Sequence, residues 1–249
     1  MVHGYKAVHP FFRLVRLMAY RLPRHVFFCT TGSHCVFLDV ERDLYVAVLK
    51  TRIDSLQPWL SPRSDTSNSS PLLEMPSGPA LVARDLVAQG LLTIDELKSK
   101  PLEPVTAPPP RATAIPHQPL VRNVLRFRVF YGACSGADQR LTKAHVMDTI
   151  DFVRRRKTQR LTAAPVSHAT LMSLVSTFHA LRLFYPRPYL CLFDSLALIE
   201  FLAVYGIFPT WIFGVEGEPF KAHCWVQYHD LLLNDSLHRV ARLTPIMTV

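Results

Sequence analysis

The 249-residue chain carries a formal net charge of +9 and is 49% hydrophobic, with 20 prolines and 5 cysteines. That apolar content supports a packed core of one large or two small domains and excludes a wholly disordered chain. The positive charge favours acidic partners, but the basic residues are dispersed and Arg154–Lys157 is the one dense run. No zinc-finger spacing, glycine-rich phosphate loop or basic–aromatic RNA motif accompanies them, so no nucleic-acid partner is expected.

The first seventeen residues, whose run His9-Pro-Phe-Phe-Arg-Leu-Val-Arg-Leu17 leads to Met18, read in three ways. They form an extra amphipathic helix, or translation starts at Met18, or a basic face touches a membrane surface. No uninterrupted apolar signal region precedes Pro23. Next come three β-rich runs, Val26–Thr30, Cys35–Val40 and Leu44–Leu49, separated by turn signals at Thr31-Gly32-Ser33 and Glu41-Arg42-Asp43. A short helical stretch stops near Pro58, Ser61 to Pro79 reads as a loop, and Leu81–Gln89 reads as a helix closed by Gly90. The run Leu44-Tyr-Val-Ala-Val-Leu49 is apolar on both faces, as a strand is when it lies centrally or when a partner covers its edge.

Seven prolines fall between Pro101 and Pro119, which predicts an extended polyproline linker rather than a packed element. Helical patterns follow over Val121–Phe130, Leu141–Arg156 and Ala169–Phe184. The most apolar stretch, Tyr189–Val215, contains Asp194, Glu200, Gly206 and Pro209, so it reads as a buried helix and a strand, with no membrane span. The odd, irregularly spaced set Cys29, Cys35, Cys134, Cys191 and Cys224 argues against a disulfide framework and for a reducing, cytoplasmic compartment. This divides the chain into residues 18–100, a linker at 101–120, and residues 121–249.

The chemistry concentrates in the last part. Cys191 opens an apolar helix that ends at Gly206; strand-like runs Pro209–Val215 and Ala222–Tyr228 follow, then a His229-Asp230 turn and Leu231–Asp235. A thiol at a helix start is acidified by the helix dipole and by a neighbouring imidazolium. His223 supplies that imidazole as general acid and base, and Asp235 is placed to fix its tautomer. Because side chains alternate along a strand, Cys224 is expected on the face opposite Cys191, as a packing residue.

The succession Cys191-Leu-x-x-Ser195-Leu-Ala-Leu, Gly214-Val, Pro219-Phe-x-Ala-His223-x-Trp-Val226 and Leu233-Asn-Asp235 resembles the lasso-peptide maturation proteases, the B proteins of lasso-peptide biosynthesis. The likeness covers residues 165–249 well and the N-terminal third loosely. It implies an α+β fold, with a small winged-helix-like leader-binding domain (a RiPP recognition element) ahead of a transglutaminase/papain-like cysteine peptidase domain. It implies nucleophile Cys191, acid/base His223 and orienting carboxylate Asp235. It also implies leader contacts at Leu44, Tyr45, Val46, Ala47 and Val48 and at Leu81, Arg84, Asp85 and Ala88. The implied reaction is removal of the leader from a lasso-peptide precursor before macrocyclisation by an asparagine-synthetase-like cyclase. No metal and no directly bound cofactor are implied, any ATP dependence entering through that cyclase. Two rival readings share these residues: a transglutaminase-like acyltransferase, and a non-catalytic adaptor that delivers leader.

Overall fold

The computed structural model describes residues 20–60, 75–114, 124–159 and 166–249. The three readings of residues 1–17, most of the loop expected from Ser61, the end of the proline-rich linker and the helix start expected at Val121 lie outside the described residues. From the N-terminal side the elements are β1 (Leu22–Pro23), β2 (Val26–Thr31), β3 (His34–Asp39), β4 (Leu44–Leu49) and α1 (Lys50–Asp54). Then come α2 (Ser77–Ala88), β5 (Ser99–Lys100), β6 (Ala112–Thr113), α3 (Val124–Lys143), α4 (Val146–Thr158) and α5 (His168–Arg182). The chain closes with α6 (Cys191–Val204), β7 (Thr210–Glu216), β8 (Lys221–Tyr228), β9 (Leu231–Leu232), α7 (Leu237–Val240) and β10 (Thr244–Thr248).

These elements fall into two compact units, and their boundaries differ from the expected domains. One unit takes residues up to 24 together with 51–102; the other takes 25–50 and 103–249. The expected leader-recognition span of 18–100 is therefore divided, its three strands belonging with the C-terminal part. In the first unit β1 pairs antiparallel with β5, and Arg21 bridges to Thr93. Leu22, Ile53, Leu56, Ala83 and Leu86 are buried there. Helix α2 ends before Gly90, whose φ of 74° permits the left-handed cap.

In the second unit, β2, β3 and β4 form an antiparallel meander. Its first turn uses Gly32 at φ 55°, and its second is closed by Asp39, whose Oδ1 accepts the Glu41 and Arg42 amides at 3.0 and 3.1 Å. The larger sheet has the order β10-β7-β8-β9-β6, antiparallel except for β6 beside β9. Phe27, Val36 and Leu38 of the meander share one buried core with Phe178, Leu196, Phe213 and Met247.

Three expectations need correction. The proline-rich segment does not stay a spacer: Ala112–Thr113 adds a strand to the larger sheet, and the Pro108 carbonyl accepts a hydrogen bond from Gln227 at 2.8 Å. Polyproline conformation is already extended, and the proline-free run from Arg111 to Ala114 supplies the amides that a ladder requires. Helix α3 continues past Phe130, where its pattern was expected to stop, because its small residues Ala133, Cys134 and Ala137 are buried in the shared core and tertiary packing overrides weak propensity. Helix α7 and strand β10 had no counterpart among the expected elements.

Candidate functional site

The strongest apolar segment of the chain builds the helix that carries the thiol. Helix α6 buries Phe193, Leu196, Ala197, Leu198, Phe201 and Leu202, and Gly206 ends it at φ 76°. Cys191 is its first residue, and its cap residue Leu190 offers no side-chain acceptor. The amides of the first turn therefore point past Cys191 with the positive end of the helix dipole. On β8, His223 presents its ring to the thiol while its Nε2 bonds the Asp235 carboxylate beyond β9. With Nε2 so engaged, Nδ1 is the ring nitrogen that serves the sulfur.

The electrostatics follow from these contacts. Hydrogen bonds from the Cys224 thiol, then from His223, and from the Cys224 amide outweigh burial and pull Cys191 down to about 4. The bond to Asp235, followed by that to Cys191, lifts His223 to about 9 against the effect of its burial. Burial pushes the Asp235 carboxyl up, but the His223 bond, the Ser236 amide and the charge of Arg239 hold it below the usual carboxylate range. These shifts favour a thiolate–imidazolium–carboxylate row, the arrangement that an activated cysteine nucleophile uses.

Cys224 corrects the alternation argument. It is 3% exposed and faces Ser195 of α6, yet its thiol and its amide both reach Cys191. The first position of α6 overlies β8, so two successive strand residues serve one sulfur, one by its ring and the other from beneath.

Two buried clasps, neither anticipated from sequence, hold the three elements in register. Asn234 donates from Nδ2 to the Ser195 hydroxyl at 2.9 Å and accepts the Val226 amide on Oδ1 at 2.8 Å. That single side chain ties α6, β8 and the segment bearing Asp235. The Arg182 guanidinium, on a residue 2% exposed, pairs with Asp194 and donates to the carbonyls of Tyr185, Arg187 and Pro188. Asp194 in turn accepts the Leu190 amide at 2.8 Å. Arg182 is the last residue of α5, where a cation is ordinary, so no sequence signal marked this clasp.

Cys191, His223 and Cys224 border two cavities. One, of about 220 Å³, has polar walls that include Arg182, Asp194, Asn234, Asp235 and Arg239. The other, of about 140 Å³, is walled by Leu38, Val40, Tyr45, Val146, Phe213 and Met247, with Asp43 also at its lining.

Residues 139–248 match the family model of the transglutaminase-like superfamily. This segment is a transglutaminase-like domain. No curated protein and no solved structure matches the chain. The superfamily includes cysteine peptidases, and Cys191, His223 and Asp235 all lie within the matched residues.

The transglutaminase-like domain does not complete its site alone, since the meander lies outside the matched residues and contributes Leu38, Val40 and Tyr45 to the apolar cavity. The Tyr45 ring packs 5.5 Å from that of Phe220, in the β7–β8 turn, and His34 lies 3.4 Å from Glu218 in the same turn. Of the residues expected to hold leader, Leu44 and Ala47 are exposed, Tyr45 and Val46 half-buried, and Val48 buried. Strand β4 is an edge of its three-stranded sheet. The Lys50 amide donates to the Ser33 carbonyl at 2.8 Å. Bonded pairs alternate in an antiparallel ladder, so Val46 and Val48 bond to β3, while Tyr45 and Ala47 turn their backbone groups outward. Leu81, Arg84, Asp85 and Ala88 lie on exposed positions of α2, in the other compact unit, and Asp85 pairs there with Arg52 at 3.4 Å.

None of the described helices is long and apolar enough to cross a membrane, and no cluster of His, Cys, Asp and Glu able to hold a metal occurs among the described residues.

Proposed function

We propose that the chain is a cysteine peptidase that removes the leader from a lasso-peptide precursor ahead of macrocyclisation by an asparagine-synthetase-like cyclase. The observation that carries the hydrolytic part is the thiolate–imidazolium row of Cys191, His223 and Asp235 at the start of α6. The leader-specific part is supported by the motif resemblance and by the outward backbone groups of the β4 edge, on which an extended peptide adds as a strand.

In this mechanism the Cys191 thiolate attacks the carbonyl at the end of the leader. The Cys191 amide stabilises the oxyanion, and His223 gives its proton to the departing amine as the thioester forms. The neutral imidazole then takes a proton from water, which attacks the thioester and frees the leader as a carboxylic acid. Asp235 holds the ring and its charge throughout. Any ATP requirement belongs to the cyclase partner.

The test is single-turnover cleavage of a synthetic precursor, read by mass. A leader gaining one water is the expected product; a leader joined to an added amine marks acyl transfer instead. Cys191→Ala abolishes release while leader affinity persists, and full cleavage by that variant overturns the assignment.

A further inference from the structure

We infer that the meander supplies the peptidase with its side-chain specificity: the apolar cavity beside Cys191 receives one branched or ring-bearing apolar side chain, that of the residue whose carbonyl the thiolate attacks. The inference deepens the proposed activity and rests on the reading of Cys191 as the acyl-accepting nucleophile.

Three observations carry it. The cavity, of about 140 Å³, is bordered by the nucleophile and its imidazole, so whatever fills it lies against the reacting carbonyl. A dry apolar cavity of about 150 Å³ holds a benzene ring, so this one has room for a leucine, valine or phenylalanine side chain. Its walls come from two sources. Phe213 and Met247 belong to the matched domain, whereas Leu38, Val40 and Tyr45 belong to β3, the residue after it and β4, outside the match.

That division matters physically. A thiolate-bearing helix and an imidazole-bearing strand generate reactivity but no preference among peptides. Preference requires a surface whose contact area depends on the substrate's side chain, and a hydrophobic pocket discriminates by about 10- to 200-fold per methylene-sized change. Tyr45 forms the adjustable wall, since its ring is propped by Phe220. Ala222, exposed and adjacent to His223, has the smallest side chain of the lining. Opening the first or filling the second changes the cavity in opposite senses.

The experiment uses the full chain and peptidyl chloromethyl ketones that end in Gly, Val, Leu or Phe. Cys191 displaces chloride from each and forms a thioether, followed by intact mass. Iodoacetamide labelling at pH 6 gives the intrinsic reactivity of the thiolate. Ratios between probes do not depend on how much enzyme is folded. In the native chain the Leu and Phe probes react at least about tenfold faster than the Gly probe, after division by the iodoacetamide rate. Ala222→Leu cuts the Phe-to-Gly ratio to about threefold or less, while Tyr45→Ala raises the Phe-to-Val ratio. Equal probe ratios in all three proteins, with rapid iodoacetamide labelling, overturn the cavity's role and leave the nucleophile standing. Slow iodoacetamide labelling of Cys191 at pH 6 overturns the nucleophile itself, and the inference with it.

Discussion

The two cavities that meet at Cys191 are built on opposite principles. The polar one is walled from residues inside the transglutaminase-like match, and these polar groups are already partnered: Arg182 by Asp194, Asp235 by His223, Asn234 by Ser195 and Val226. The apolar one borrows a wall from the meander and carries almost no polar direction. The difference shows where rigidity is needed. Proton transfer demands groups fixed within fractions of an ångström, whereas selectivity among side chains demands only volume.

Disturbing the polar side has the largest consequences. Asp235→Asn keeps the size of the carboxylate but not its charge, and its amide can hold the wrong tautomer of His223; the single-turnover rate falls by about four orders of magnitude, as for triad aspartates elsewhere. Leader affinity, followed by fluorescence anisotropy, stays as it was. Arg182→Met strands Asp194 without its cation and destabilises the fold by about 3–5 kcal/mol in urea denaturation. Ser195→Ala leaves the Asn234 amide without its acceptor, a loss of about 1–3 kcal/mol in the same measurement.

The pH profile separates thiol from imidazole. Activity rises as Cys191 loses its proton near pH 4 and falls as His223 loses its own near pH 9. The Cys224 thiol is the largest influence holding Cys191 down. Cys224→Ala therefore moves the acid limb of kcat/KM upward and leaves the base limb, governed first by Asp235, in place. A profile whose two limbs move together breaks the distinction between the two partners. The smallest effect belongs to the meander's edge: Ala47→Pro deletes an outward amide and weakens leader binding by about tenfold. Val46→Pro instead breaks a bond to β3, so the two substitutions tell edge recognition from loss of the strand.

Local rules made the candidate site legible. Order and spacing were enough to expect Cys191, His223 and Asp235 side by side, as the structure places them, because a helix start, a strand and a hairpin return each carry a short-range signature. Alternation and turn residues located β2 to β4 closely, and Gly206 marked the end of α6. What escaped depends on contacts between distant segments. The Ser195–Asn234 clasp spans 39 residues, and no periodicity announces it. The pairing of Ala112 with Leu231 turns a proline-rich spacer into a strand only because an acceptor edge waits there. Cys224 was misjudged because strand alternation says which face a side chain takes and nothing about what lies across that face.

The burial of Arg182 against Asp194 also has an ionic-strength consequence. Exposed charges more than about 10 Å apart are screened by ordinary salt, while buried pairs are screened far less. The guanidinium is 2% exposed, so the Arg182–Asp194 clasp that seats the helix bearing Cys191 holds from dilute buffer to molar salt. Capture of an acidic peptide by a chain of net charge +9 weakens over the same range. Raising the salt concentration thus leaves a reactive but poorly fed enzyme, and the salt slope of kcat/KM belongs to encounter rather than to chemistry.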